Sequence, residues 1–390
     1  MKIVLDATSI RSRPSGIGIY IQHLLAGMIE VLHQDNSCLF DLNILYKSNI
    51  LRQYLQDRSI RSRALNIKSF YYPFPSEFSL QILRHSKLIK ALFETLLGNP
   101  DIFHGLDYLN YPLAYSHNIL TIHDLSFMRY PQYAPDRVLR SYQKRLETCL
   151  QWTDLIITVS ESTKRDIVEF FHIDHQKIWV TPLASRYNLS PLTSPLASLH
   201  NPLNPSFHSS YPFPYLLFVS TLEPRKNIDT LIKAFEILKQ KHHIPHHLIL
   251  IGKKGWKYKA IVETIESSPV QDYIHQLDYL DDRQLIQFYQ QATAFLYPSY
   301  YEGFGLPVLE AMTFGIPVIT SNQSSLPEVA GNAALFVDPA DIDGFVSATQ
   351  SVIDNPDLHR HLSQAGKERS LLFSWKKTAL QTLEAYKSLM

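Results

Sequence analysis

Between Pro182 and Pro214 the chain carries seven prolines in 33 residues, and from Tyr187 to Pro214 it has no Asp, Glu, Lys or Arg. Proline lacks a backbone donor and blocks helix, so this stretch reads as a connector over the surface. On both sides of it the same pattern appears. Short β-rich apolar runs alternate with helical periodicity, which is the signature of parallel α/β sheets. Before the connector, Ile3-Val4-Leu5 is followed by a loop and then a helix with Ile21, Leu24, Leu25, Met28 and Leu32 on one face. Asp101 to His104, Ile119 to Ile122 and Leu155 to Val159 read as later strands. Ser160 and Ser162 are N-cap candidates for a helix reaching Phe171. After the connector, Leu216 to Val219 reads as a strand and a helix follows from about Asn227. Leu248 to Ile251, Ala294 to Tyr297 and Pro317 to Thr320 continue the alternation.

With 390 residues the chain exceeds one ordinary core. The pattern therefore predicts two doubly wound, Rossmann-like α/β domains facing across a cleft, with ligands beyond the carboxyl ends of the strands. The expected divisions are residues 1–186, a linker over 187–214, a second domain over 215–374 and a closing helix over 375–390. A net charge of +1 gives no global field to recruit nucleic acid. Cys38 and Cys149 form no CxxC, no basic and apolar leader precedes the first strand, and no apolar run is long enough to span a bilayer. A cytoplasmic location is expected.

Two segments carry the chemistry. Glu223-Pro224-Arg225-Lys226-Asn227 puts two cations just past a strand, on a loop at the ligand edge of a sheet. Fixed cations there suit a diphosphate that gathers charge as a glycosidic bond breaks. Glu302-Gly303-Phe304-Gly305-Leu306-Pro307-Val308-Leu309-Glu310 puts two carboxylates eight positions apart around a glycine loop that enters a helix. With the helix starting near Pro307, Glu310 should fall in its first turn, where a carboxylate can accept from adjacent ribose hydroxyls. Gly303 and Gly305 let backbone approach a ligand closely. In the first half, Gly16 and Gly18 follow the first strand, and His123 ends a later one, where it could donate to a sugar hydroxyl or handle a proton. Together these residues describe a nucleotide-sugar site.

The chain resembles the large retaining glycosyltransferase family four, with its two-domain GT-B architecture. The resemblance rests on Gly16-Ile17-Gly18, His123-Asp124, Thr158-Val159-Ser160, Glu223 to Asn227 and the Glu302 to Glu310 pair, which matches the family's E-x7-E element. It implies that Arg225 and Lys226 bind the diphosphate and Glu310 the ribose. Glu302 and the backbone from Gly303 through Phe304 and Gly305 to Leu306 would hold the donor sugar. His123 would lie beside the anomeric carbon, and Gly16 and Gly18 would approach the phosphate or the acceptor. The run Leu250 to Trp256 is similar to the mannosyltransferase branch used in bacterial surface-polysaccharide assembly. The implied reaction is a retaining transfer of a hexose, mannose first, from GDP or UDP to a saccharide or lipid-linked acceptor, with no metal and no cofactor. An epimerase acting on the nucleotide sugar, or a non-catalytic carbohydrate-binding protein, are the alternatives.

Other signals weigh less. Asp341-Ile342-Asp343 spells DxD, but it opens a helical pattern and reads as a cap. The histidines of Lys241 to His247 read as a solvated connection on the sheet edge away from the ligand. Residues 80–97 mix Leu80, Leu83, Leu88, Leu92 and Leu96 with Arg84, His85, Lys87 and Lys90, below Arg52, Arg58, Arg61, Arg63 and Lys68. A basic amphipathic helix of this kind can lie on an anionic membrane surface, and the alternative is an ordinary core-facing helix with a wet basic side.

Overall fold

The computed structural model describes residues 1–10, 16–34, 41–46, 68–71, 82–84, 86–187 and 211–390. Most of the proline-rich linker lies outside the described residues, as do Cys38, Leu80, His85, Arg52, Arg58, Arg61 and Arg63. The chain divides into two compact units. The first comprises Met1–Met128, Asp136–Leu183 and Ser374–Met390, and the second Arg129–Pro135 with Ala184–Phe373. The grouping of 129–135 and of 184–186 with the second unit differs from the 1–186 division expected above.

The first unit is built on a seven-stranded sheet in the order β3-β2-β1-β4-β5-β6-β7. Its strands are β1 (Lys2–Asp6), β2 (Asp41–Tyr46), β3 (Lys68–Tyr71), β4 (Ile102–Gly105), β5 (His117–Ile122), β6 (Leu155–Thr158) and β7 (Ile178–Val180). Every neighbouring pair is parallel, and the central strands are buried on both faces, as in a doubly wound sheet. The helices Gly16–Gln34 and Trp375–Lys387 pack on one another. Their approach is close at Gly27, where a Cβ would stand 2.6 Å from the Trp375 carbonyl oxygen, and the His23 ring stacks on Trp375 at 5.2 Å. Tyr386 fixes the last helix to the sheet. Its hydroxyl lies 2.6 Å from His104 Nδ1, and His104 Nε2 lies 2.7 Å from Thr121 Oγ1. Burial, with His123 nearby, pulls His104 down to about 3, so this ring is neutral at physiological pH.

The second unit holds six parallel strands in the order β10-β9-β8-β11-β12-β13. They are β8 (Tyr215–Val219), β9 (His247–Ile251), β10 (Ile274–Leu277), β11 (Ala294–Tyr297), β12 (Val318–Ser321) and β13 (Ala334–Val337). All five residues of β8 are buried. Strand order reverses between β8 and β11, and doubly wound sheets bind ligands at such a switch point. The segment Glu223–Asn227 leaves β8 and the segment 298–305 leaves β11, so the topology makes them neighbours.

Candidate active site

The loop after β8 closes into a single 3-10 turn, Pro224–Lys226, rather than an open loop. Asn227 follows in the left-handed region at φ 57°. Its side-chain amide donates to the carbonyls of Pro298 (3.1 Å) and Pro339 (2.6 Å), which holds the turn against the ends of neighbouring strands. Lys226 Nζ reaches Glu302 Oε1 at 2.6 Å and the Tyr297 hydroxyl at 3.2 Å. Arg225 donates to Glu223 Oε1 (2.7 Å), to the Tyr301 carbonyl (2.5 Å) and, at 3.5 Å, to Glu302 Oε2. Two cations and two carboxylates are thus interlocked in a largely buried site.

Desolvation sets the energetics here. Burial and the Arg225 charge pull the Lys226 ammonium below the ordinary lysine value. Burial alone would raise the Glu302 carboxyl, but Lys226 and then Arg225 outweigh it and hold Glu302 below the usual carboxylate range. Glu302 is therefore an anion whose charge depends on its two cations.

The glycine loop is pinned from behind. Ser325 Oγ donates to the carbonyls of Glu302 (2.9 Å) and Phe304 (2.8 Å), and the Glu302 amide donates to Ser324 Oγ at 2.8 Å. Phe304 meets Phe373 edge-on at 5.8 Å. Gly305 sits at φ +101°, a conformation that side chains rarely adopt, and its Cβ would stand 2.7 Å from Leu326 Cδ2. This glycine lets the helix open at Leu306 rather than at Pro307, and the helix runs Leu306–Thr313. Glu310 is consequently its fifth residue and lies in the second turn, which corrects the first-turn position expected from the proline.

Glu310 belongs to a different charged cluster from Glu302. Arg186 Nε lies 2.9 Å from Glu310 Oε1, while Arg186 Nη2 and the Tyr289 hydroxyl approach Oε2 at 3.3 and 3.1 Å. Arg186 also pairs with Asp282 at 3.0 Å. Burial raises the Glu310 carboxyl above its ordinary value despite the opposing pull of Arg186. Arg186 has no signal in the sequence, since it stands alone just before the charge-free stretch.

The remaining candidates lie in the first unit. Gly16 is the exposed first residue of its helix, and no described atom lies within 4 Å of where its Cβ would be. Its glycine identity has no packing cause there, whereas Gly18 is buried. His123 is buried, with its Nε2 2.8 Å from the Leu106 carbonyl. A carbonyl only accepts, so Nε2 carries the hydrogen. Burial lowers the His123 pKa, and the neutral ring then presents a lone pair at Nδ1.

Asp341 caps the helix Ile342–Asp354 by accepting from the Gly344 amide at 2.8 Å. The histidine-rich connection is wet at His242 and His243 but not throughout. His246 is buried, and His247 stacks on Phe213 at 3.6 Å.

Two family descriptions match the chain, "Glycosyl transferases group 1" over residues 207–369 and "Glycosyltransferase Family 4" over residues 49–184. The O-antigen chain mannosyltransferase B of Escherichia coli is 34% identical over 288 residues, which span 74% of this chain and 74% of that protein. Sucrose-phosphate synthase from Thermosynechococcus elongatus superposes with a TM-score of 0.69 at 21% identity, over 100% of this chain and 99% of its own. HepE of Anabaena, solved in complex with UDP and glucose, superposes with a TM-score of 0.71 at 14% identity over the full length of both. At these identities the structural likeness is one of fold.

Proposed function

The chain belongs to glycosyltransferase family four and has the GT-B fold, and from that premise we propose that it is a retaining, metal-independent mannosyltransferase of surface-polysaccharide assembly. The donor in this reading is GDP-mannose, and the acceptor a saccharide or lipid-linked saccharide. The observation that carries the reading is the Arg225–Lys226–Glu302 cluster at the switch point of the second sheet. An arriving diphosphate draws Arg225 and Lys226 toward itself, and Glu302 exchanges its cations for hydroxyls of the donor sugar. As the bond from the anomeric carbon to phosphate breaks, the acceptor oxygen bonds that carbon on the same face. The acceptor proton passes to a phosphate oxygen. Fixed cations stabilise the charge on the departing diphosphate, the largest single contribution expected at such a site. Glu310 holds the ribose, and Arg186 and Tyr289 hold Glu310.

The test is a panel of GDP- and UDP-sugars with released nucleotide measured in the presence and absence of mannosides. GDP-mannose should give the fastest acceptor-dependent release, the new linkage should keep the donor's anomeric configuration by NMR, and EDTA should leave the rate intact. Loss of activity with EDTA and recovery with magnesium would refute metal independence. Isomerised nucleotide sugar without release would instead identify an epimerase.

The proposal extends to the membrane. In the helix Lys87–Leu96, Leu88, Leu92 and Leu96 are 71%, 57% and 73% exposed and share one face, while Phe93 on another face is buried. Lys87 lies beside them, 5.3 Å over the ring of Tyr115, which is 75% exposed. No helix among the described residues is long and apolar enough to cross a membrane. An exposed leucine face bordered by lysine suits the surface of anionic lipid. Sedimentation with anionic vesicles should fall steeply between low and high salt, and Leu92→Glu should weaken it. Equal sedimentation with neutral and anionic vesicles excludes the contact.

A further inference from the structure

Four tyrosines converge where the chain leads into Glu302, two of them from a segment far away in sequence. Arg129–Pro135 belongs to the second unit, where Pro131–Tyr133 forms a 3-10 turn and Lys257 Nζ bonds the Gln132 carbonyl at 2.6 Å. The ring centroids of Tyr130 and Tyr133 are 5.9 Å apart, those of Tyr133 and Tyr300 5.6 Å, and those of Tyr130 and Tyr300 6.2 Å. The corresponding interplanar angles are 17°, 21° and 35°. The distances describe an almost equilateral triangle of nearly parallel rings. In a column the outer pair would stand well beyond the spacing of neighbours, so the three rings form a cluster rather than a column. All three are half-buried. Tyr301, 3% exposed, meets Tyr130 at 6.1 Å and 59° and backs the array.

The array is tied to the reacting region through the backbone. The Tyr300 amide donates to the Arg225 carbonyl at 3.0 Å, and the Tyr301 carbonyl accepts from Arg225 Nη1 at 2.5 Å. Tyr300 is two residues from Glu302. We propose that Tyr130, Tyr133 and Tyr300 form a platform that holds a pyranose ring of the acceptor saccharide. The apolar C–H face of a sugar buries itself on an aromatic surface, and phenol hydroxyls bond its rim. Tyrosine provides such area with little conformational entropy to lose.

This inference rests on the glycosyltransferase reading, in which the donor's hexose is at Glu302 and its ribose at Glu310. The base then extends away from Glu302, and the saccharide beside Glu302 is the acceptor.

The test uses the full chain with GDP-mannose as donor and methyl α-mannobioside as acceptor, and compares Tyr133→Ala, Tyr300→Ala and their Phe counterparts. Loss of one stacking ring should raise acceptor KM about threefold to tenfold, with a smaller change in donor KM, and Phe should restore most of the difference. Equal increases in both KM values, or a larger one for the donor, would assign the rings to the nucleotide and overturn the platform. An unchanged acceptor KM would reduce them to packing and likewise overturn it. Loss of Tyr133→Ala to misfolding, with Tyr133→Phe and Tyr300→Ala showing no acceptor effect, refutes it too. If the unaltered chain releases no nucleotide from any donor, the glycosyltransferase reading fails first and the platform falls with it.

Discussion

Lys226→Ala should lower kcat/KM by about 10²-fold or more, and it should also lower the melting temperature. The two losses have different origins. Activity falls because a cation that would face the leaving diphosphate has gone. Stability falls because Glu302, whose side chain is 9% exposed, loses its partner at 2.6 Å while its other cation, Arg225, stands at 3.5 Å. Stripping one member from a buried pair costs about 3–5 kcal/mol, mostly through the charge left behind. A double variant separates the effects. Lys226→Met with Glu302→Gln removes both charges together, so the melting temperature should recover while activity stays low. Recovery of both would refute the roles of Lys226 at the diphosphate and of Glu302 at the sugar together, since Glu302→Gln alone should already lower kcat. Acid provides a second readout. Glu302 is held below its ordinary value in the fold, so its stabilisation is present above the unfolded carboxylate pKa and is lost as pH falls through the depressed one. Glu302→Gln should remove that part of the acid dependence.

The strands of both units are legible in the sequence because short aliphatic runs such as Leu155-Ile156-Ile157 and Leu248-Ile249-Leu250-Ile251 carry their own signal. Which charges meet is not legible. Lys226 and Glu302 are 76 residues apart and come together only because β8 and β11 are adjacent in the sheet, and no local pattern encodes that adjacency. The sequence presents the cations at 225 and 226 as open to a ligand, yet in the fold each already holds a carboxylate. Arg186 is invisible for a similar reason, since Glu310 lies 124 residues further on. Pro307 points to the wrong turn for Glu310, because Gly305 rather than the proline sets the helix start. Tyr130 precedes and Tyr133 ends an ordinary turn, and only the tertiary structure brings them to Tyr300.

Glu302→Gln and Glu310→Gln should fail in different ways. Glu302 is assigned to the transferred sugar, which gains positive charge as its bond to phosphate breaks. A nearby carboxylate favours that state over the ground state, so Glu302→Gln should lower kcat by about 10²-fold with a modest change in donor KM. Glu310 is assigned to the ribose, which is alike in both states. Its loss should raise donor KM by about tenfold and leave kcat nearly intact, as uniform binding requires. Arg186 keeps Asp282 as a partner at 3.0 Å in the Glu310→Gln variant, so the arginine is not stranded. The measurement is donor saturation at saturating acceptor. A Glu302→Gln enzyme with full kcat, beside a Glu310→Gln enzyme that has lost it, would reverse the two assignments. Because burial raises the Glu310 carboxyl and the cations depress that of Glu302, Glu310 should protonate first on acidification. The acid limb of kcat/KM for the donor, which reports the free enzyme, should therefore begin with Glu310, and Glu310→Gln should remove that first step.

The division of the chain has a bearing on the order in which it is made. The first unit includes Ser374–Met390, whose Trp375 lies against Gly27 and His23 and whose Tyr386 reaches His104. On the ribosome, the helix Gly16–Gln34 emerges long before these partners exist. The second unit, by contrast, draws nearly all of its residues from one continuous stretch and needs only 129–135 from upstream. The first unit therefore cannot close until residues on the far side of the second unit have been made. A chain released after Phe373 would keep every residue of the second unit while leaving uncovered the face of the helix Gly16–Gln34 that meets Trp375 at Gly27.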